Sequence, residues 1–197
     1  MFKNKDCEGK SDEELVRLAL KNQDYYYCLV SRWENKILRY ILKISSATKE
    51  DAEDILQDAF ISAYKSLNDF DRNLKFSSWI YRIARNKTIS FWRKSKIRPK
   101  TVSSDDDLEL FKLVSGDDDL AKELEKKCDS RQIKNILKNL KEKYREILIL
   151  KFLEEKSYRE ISDILKKPMG TVATLLSRAK KKFKKEAMKQ GIEFKNL

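Results

Sequence analysis

Histidine is absent from this chain of 197 residues, and glycine (4), proline (2) and cysteine (3) are scarce. Each shortage closes off a class of function. Without histidine there is no imidazole base, no imidazole metal ligand and no Cys₂His₂ zinc finger. Cys7, Cys28 and Cys128 are odd in number and far apart, with no Cys-x-x-Cys pair, so free thiols in a reducing compartment are the expectation. No nucleophile–base pair, metal cluster or phosphate loop is evident, which predicts a protein that is not an enzyme and needs no cofactor or metal. No apolar run approaches the ~20 residues that span a bilayer. The N-terminal MFKNKDCEGK lacks the apolar core of a signal peptide. A cytoplasmic location without membrane insertion is expected.

What is present suits helices. Apolar residues make up 41% and charged residues 39%, a mixture that fits amphipathic helices around modest cores, and helix breakers are few. The net charge of +12 favours a polyanionic partner. That charge is unevenly spread. Residues 1–96 carry 19 Lys/Arg and 14 Asp/Glu, residues 97–129 carry 6 and 10, and residues 130–197 carry 19 and 8. Two basic blocks joined by an acidic segment suggest two nucleic-acid modules on a linker.

The most informative stretch is SYREISDILKKPMGTVATLLSRAKKKFKK, residues 157–185. Ser157 with Glu160 forms a capping box, and Tyr158, Ile161, Ile164 and Leu165 recur at helical spacing. Pro168 and Gly170 break the pattern and Thr171 restarts it. On the new helix Val172, Leu176, Ala179 and Phe183 form an apolar stripe, while Thr171, Thr174, Arg178, Lys181 and Lys185 fall opposite. Hydroxyls and cations on one face, near the start of a second helix, suit base edges and phosphates in a DNA major groove. An amphipathic hairpin with a solvated basic face is the plainer alternative.

Upstream, Ser11 with Glu14 is a second capping box, a helix follows over 25–44, and Thr48 with Asp51 opens a third that runs to about Leu67. Ser77 or Ser78 caps a fourth that reaches Ser95. On the third helix Ala52, Ile55, Leu56, Ala59, Ala63 and Leu67 share the inner side. Asp54, Gln57, Asp58, Ile61 and Tyr64 share the outer one. Charged anchors around an apolar patch resemble a protein-binding site; packing of Ile61 or Tyr64 on a neighbouring helix is the other reading. From Leu74 to Lys96 there is no acidic residue and there are seven basic ones, interleaved with aromatics. Ile80, Ala84 and Phe91 face inward by periodicity, while Trp79, Arg82, Arg85, Asn86 and Arg93 share the opposite face. Cations, a stacking ring and an Asn suit an unpaired strand, unless Trp79 and Trp92 are core aromatics. Runs of Asp at 105–107 and 117–119 mark the acidic linker; the second run caps a helix through Leu120, Leu124, Ile133, Ile136 and Leu140.

In this order, three stretches resemble the extracytoplasmic-function group of the sigma-70 family. DAEDILQDAFISAYKSLNDF is similar to region 2.2, KFSSWIYRIARNKTISFWRKSK to regions 2.3 and 2.4, and LKEKYREILILKFLEEKSYREISDILKKPMGTVATLLSRAKKKF to region 4. The resemblance covers about residues 12–189. It implies an all-α chain of two small helical domains, a region-2-like bundle over 11–96 and a region-4-like helix-turn-helix domain over 119–189, joined by a flexible acidic linker over 97–118. The implied function is a sigma factor that binds core RNA polymerase and directs initiation at promoter DNA.

The implied roles fall on particular residues. Asp54, Gln57 and Asp58, with Ile61 and Tyr64, match positions that grip the β′ clamp helices of the polymerase. Asn86 matches a reader of the −10 element, surrounded by Trp79, Arg82, Arg85, Lys87 and Arg93. Thr171, Ala173, Thr174, Ser177, Arg178 and Lys181 line the −35 reading face, and the β flap is a further contact. Ala173 and Leu175 stand where the family usually has cations, so the lysines at 180, 181, 182, 184 and 185 are expected to supply phosphate contacts. Regions 1.1 and 3 have no counterpart, which implies inhibition by a separate anti-sigma protein. Asp105, Asp106 and Asp107 suit either a solvated tether or a mimic of RNA phosphates in the polymerase. Two rivals to the sigma reading are a stand-alone helix-turn-helix regulator and a sigma-like adaptor that binds polymerase without directing initiation.

Overall fold

The computed structural model describes residues 7–45, 47–95 and 130–192. Among the described residues there are eight α-helices and no strand, in agreement with the all-α expectation. The chain divides into two compact units. The linker over 97–118 and the expected cap at 117–119 lie outside the described residues.

The first unit contains α1 (Asp12–Ala19), α2 (Asp24–Ile44), α3 (Lys49–Lys65) and α4 (Phe76–Ser95). Ser11 Oγ accepts from the Glu14 N–H at 3.1 Å, one half of the expected capping box; the reciprocal bond is not made. Thr48 Oγ1 accepts from the Asp51 N–H at 3.2 Å, as its position before α3 requires. An eight-residue helix such as α1 is too short to persist alone. Tertiary burial holds it: Leu15, Val16 and Ala19 are buried, and so are Leu29, Ile37 and Ile41 of α2 and Ile80 of α4. Each large aliphatic residue taken fully out of water contributes roughly 1.5–3 kcal/mol.

Two expectations are corrected in this unit. Ser77 and Ser78 do not cap α4, which begins at Phe76, and both serines are buried in its first turn. The carboxylate of Glu13, on α1, instead accepts from the Phe76 N–H at 3.1 Å. The first turn of α4 has no acidic residue of its own, so a remote helix supplies both the acceptor and the negative charge that a helix N-terminus favours. The second correction concerns the cysteines. Cys7 and Cys28 are not free thiols but are joined in a disulfide with Cα atoms 5.5 Å apart, because the segment before α1 folds back along α2. Arg32 fixes that fold: its guanidinium donates to the carbonyls of Cys7 (3.3 Å) and Lys10 (3.1 Å) and to Asp12 (2.6 Å). Cys128 lies outside the described residues.

The second unit contains α5 (Ser130–Asn139), α6 (Glu142–Leu148), a π-type turn (Ile149–Leu153), α7 (Tyr158–Leu165) and α8 (Met169–Lys189). Its core takes Ile133, Ile136 and Leu137 from α5, Ile147 and Leu148 from α6, and Ile149, Leu150 and Phe152 from the π-type turn. Ser157 and Glu160 form the full capping box. Lys166 ends α7 in the left-handed region at φ 51°. The next helix starts at Met169 rather than Thr171. Pro168, with no N–H to satisfy, sits at its boundary, and Val172 N–H already donates to Pro168 O at 3.0 Å. Gly170 is therefore inside the first turn, where glycine disturbs a helix least because the N–H groups there lack intrahelical partners.

Candidate polymerase-docking and nucleic-acid faces

The outer side of α3 is built by burial of the inner side. Ala52, Ile55, Ala59 and Ala63 are all buried, which turns Asp54, Gln57 and Asp58 to solvent. Beside these polar groups Ile61 is 52% and Tyr64 44% exposed. Tyr64 has a partner within the unit: its ring lies 5.0 Å from that of Tyr26, and its hydroxyl donates to Gln23 at 3.4 Å. Tyr64 thus leans on α2, as the packing alternative expects, and still exposes its outer edge. Tyr26 is the support. Its hydroxyl donates to the Phe60 carbonyl at 2.7 Å, and burial, followed by the neighbouring Tyr64, pushes its phenol well above the ordinary tyrosine range.

On α4 the structure separates rings from cations. Trp79, placed by periodicity on the exposed face with Arg82, is 5% exposed. It packs against Phe70 at 5.2 Å and Phe76 at 5.8 Å. The cause is the loop after α3, which lays Phe70 across the first turn of α4 where helical periodicity alone sees solvent. The indole is part of the core and leaves almost no ring face to solvent. Tyr81 is also buried, 4.8 Å from Tyr40 and edge-on to Trp33 at 6.2 Å. Above this aromatic floor Asn86 and Arg93 are exposed, Arg82, Arg85 and Lys87 are half-buried, and Trp92 is half-buried. Phe91, expected inward, is also only half-buried. No carboxylate lies on this helix, so its outer surface offers donors and positive charge to an anionic strand.

On α8 the division is cleaner. Val172, Leu176, Ala179 and Phe183 are buried. Thr171, Ala173, Thr174, Ser177, Arg178 and Lys181 are all exposed, so the expected −35 face is one continuous surface. Thr174 donates its hydroxyl hydrogen to the Gly170 carbonyl at 2.9 Å. Outward it offers a methyl group and a hydroxyl oxygen that accepts, beside the methyl of Ala173. Of the lysines expected to meet phosphates, Lys180 is turned away: its ammonium lies 5.3 Å over the Phe152 ring. Lys181, Lys182 and Lys185 remain exposed. At the starts of α7 and α8 two exposed apolar residues were not expected outside. Met169 opens α8 at 56% exposure. Tyr158, counted by spacing among the inward positions, is exposed and has the Lys151 ammonium 5.7 Å from its ring.

Known proteins share this sequence pattern and fold. Residues 29–97 match the sigma-70 region 2 family and residues 130–183 match the sigma-70 region 4 family. The chain is 34% identical over 169 residues to the ECF RNA polymerase sigma factor SigW of Bacillus subtilis, spanning 84% of this chain and 90% of that one. It is 30% identical over 181 residues to the ECF RNA polymerase sigma-E factor of Escherichia coli K12, spanning 88% and 92%. Its fold resembles CnrH, solved in complex with the cytosolic domain of CnrY, with a TM-score of 0.64 at 23% identity over 88% of this chain and 95% of that one. It also resembles the sigma factor RpoE of Bartonella quintana, solved with the anti-sigma factor NepR, with a TM-score of 0.59 at 21% identity over 81% and 94%. These matches define a sigma factor built from a region 2 and a region 4 unit. The chain belongs to the extracytoplasmic-function group of the sigma-70 family. No helix among the described residues is long and apolar enough to cross a membrane.

Proposed function

We propose that α3 fastens the chain to core RNA polymerase, that α4 holds the −10 non-template strand, and that α8 reads duplex −35 DNA. The region-2-like module spans 11–96 and the region-4-like module 119–189. Asp54, Gln57 and Asp58 supply charge and hydrogen bonds to the β′ clamp helices, and Ile61 and Tyr64 supply the apolar contact. Asn86 faces a base edge, and Arg82, Arg85, Lys87 and Arg93 follow the phosphates. Thr171, Ala173, Thr174, Ser177 and Arg178 face the major groove, with Lys181 on the backbone, and the same unit rests on the β flap. The chain catalyses nothing itself. Melting is driven by binding: holding a flipped base offsets the few kcal/mol of its unstacking. If about six phosphates are neutralised, log K falls with log salt at a slope of about −5.

The observation that carries this reading is the layering of α4, with Trp79 and Tyr81 buried beneath and Arg82, Asn86 and Arg93 outward on a helix free of carboxylates. The chain works in the cytoplasm and is held inactive by an anti-sigma protein, a partner class supported by the complex of the Bartonella quintana neighbour. Run-off transcription with core polymerase tests the whole reading. Transcripts from one start that depend on this chain are expected. Binding to core without transcripts means an adaptor instead, and tight duplex binding without core affinity means a stand-alone regulator.

A further inference from the structure

We propose that Cys7 and Cys28 form a thiol–disulfide exchange site, a covalent staple that a dithiol reductant opens and that controls how firmly α1 and the start of α4 are held. The disulfide closes a loop of 21 residues in sequence separation that contains the whole of α1. Its two cysteines are unequally covered: Cys28 is buried at 2% exposure, while Cys7 is half-buried. Attack is therefore directed at Cys7.

The exchange balances as follows. A reductant thiolate attacks Cys7 Sγ, the Cys7–Cys28 bond breaks, and Cys28 leaves as a thiolate that takes a proton. The reductant's second thiol then attacks the mixed disulfide and releases Cys7 as a thiol. Two electrons pass to the protein, and the reductant leaves as its own disulfide.

The effect of opening reaches beyond the staple. Next to Cys7, Arg32 binds Asp12, and Asp12 also accepts from Trp33 Nε1 at 3.1 Å. Trp33 meets Tyr81 of α4 edge-on. Glu13, the following residue, caps α4 at Phe76. Two adjacent residues of the stapled segment thus bear on α4 by separate routes. Disulfides in a reducing cytosol are usually transient or redox-sensing rather than permanent. The compartment and the DNA readout below rest on the proposed function; the staple itself does not.

The test uses the full chain, purified without reductant and compared with the same protein in dithiothreitol. Alkylation followed by mass measurement is expected to add one label, at Cys128, before reduction and three after it. Reduction is expected to lower the first thermal transition by roughly 10–20 °C. Cys7→Ser, which leaves buried Cys28 in place, is expected to melt at the lower temperature in both conditions. Three labels without reductant, or a transition that reductant does not move, overturns the proposal. Binding of a −10 non-template oligonucleotide by the core complex is expected to weaken several-fold on reduction; unchanged binding removes the link to α4. If core plus this chain starts no transcript in either redox state, the sigma reading fails while alkylation and melting still decide the staple.

Discussion

Glu13 on α1 accepts a hydrogen bond from the backbone N–H of Phe76, the first residue of α4, across 63 residues of chain. The bond ties α1, the shortest α-helix of the first unit, to α4, the helix proposed to hold the −10 strand. Glu13→Ala is expected to destabilise the first unit by about 1–2 kcal/mol, with Glu13→Gln losing less because it keeps an acceptor. Urea unfolding followed by tryptophan fluorescence measures this. Equal stability of all three proteins would show that the cap contributes nothing.

Buried rings and outward donors on α4 should respond in opposite ways. Trp79→Ala is expected to cost about 3–5 kcal/mol of stability, as removal of a buried aromatic does. Asn86→Ala should leave the melting temperature unchanged and weaken binding of −10 non-template strand by the core complex. A fully stable Trp79→Ala protein with impaired strand binding would return the indole to the DNA face.

On α8 the proposed base reader and the proposed phosphate contact are separable. Thr174→Val keeps the outward methyl and removes the accepting oxygen, so it should alter preference at one −35 position, with discrimination changing by about 1–3 kcal/mol. Lys181→Ala should weaken all −35 sequences alike and reduce the salt slope by about 1. Selection of −35 sequences by each variant, with titrations at several salt concentrations, distinguishes the two. A uniform loss for Thr174→Val would contradict its place at a base edge.

The half-buried Tyr26 phenol gives the first unit an alkaline limit. Its proton is held more tightly in the folded than in the unfolded chain, first by burial and then by Tyr64. Its contribution is complete below the unfolded value of about 10 and is lost as pH climbs from there toward the raised folded value. Tyr26→Phe should cost about 1 kcal/mol at neutral pH through the bond to the Phe60 carbonyl. It should also unfold with a shallower loss of stability above about pH 10 than the parent. Parallel pH profiles for the two proteins would contradict this.

Features set by short-range rules were legible in the sequence. The Thr48 and Ser157 caps, the buried stripe of α8 and the exposed sides of α3 and α8 follow from 3.6-residue periodicity and capping chemistry. What escaped depends on distant chain coming together. The Glu13 cap joins residues on different helices, and the Phe70 ring that covers Trp79 comes from a loop with no period. The Cys7–Cys28 pair needs the N-terminal segment to double back along α2 under Arg32. Tyr158 counted as inward by spacing, although its position at the first turn of α7 puts it past the edge of the core.

The most direct measurement of the central claim is association of core RNA polymerase with the double variant Asp54→Lys and Asp58→Lys. Both side chains are exposed and belong to no core contact, so the melting temperature and the binding of −35 duplex should match those of the parent. Affinity for core is expected to fall tenfold or more, and promoter-specific transcripts to vanish with it. Undiminished association would mean that the outer side of α3 is not what joins this chain to the polymerase.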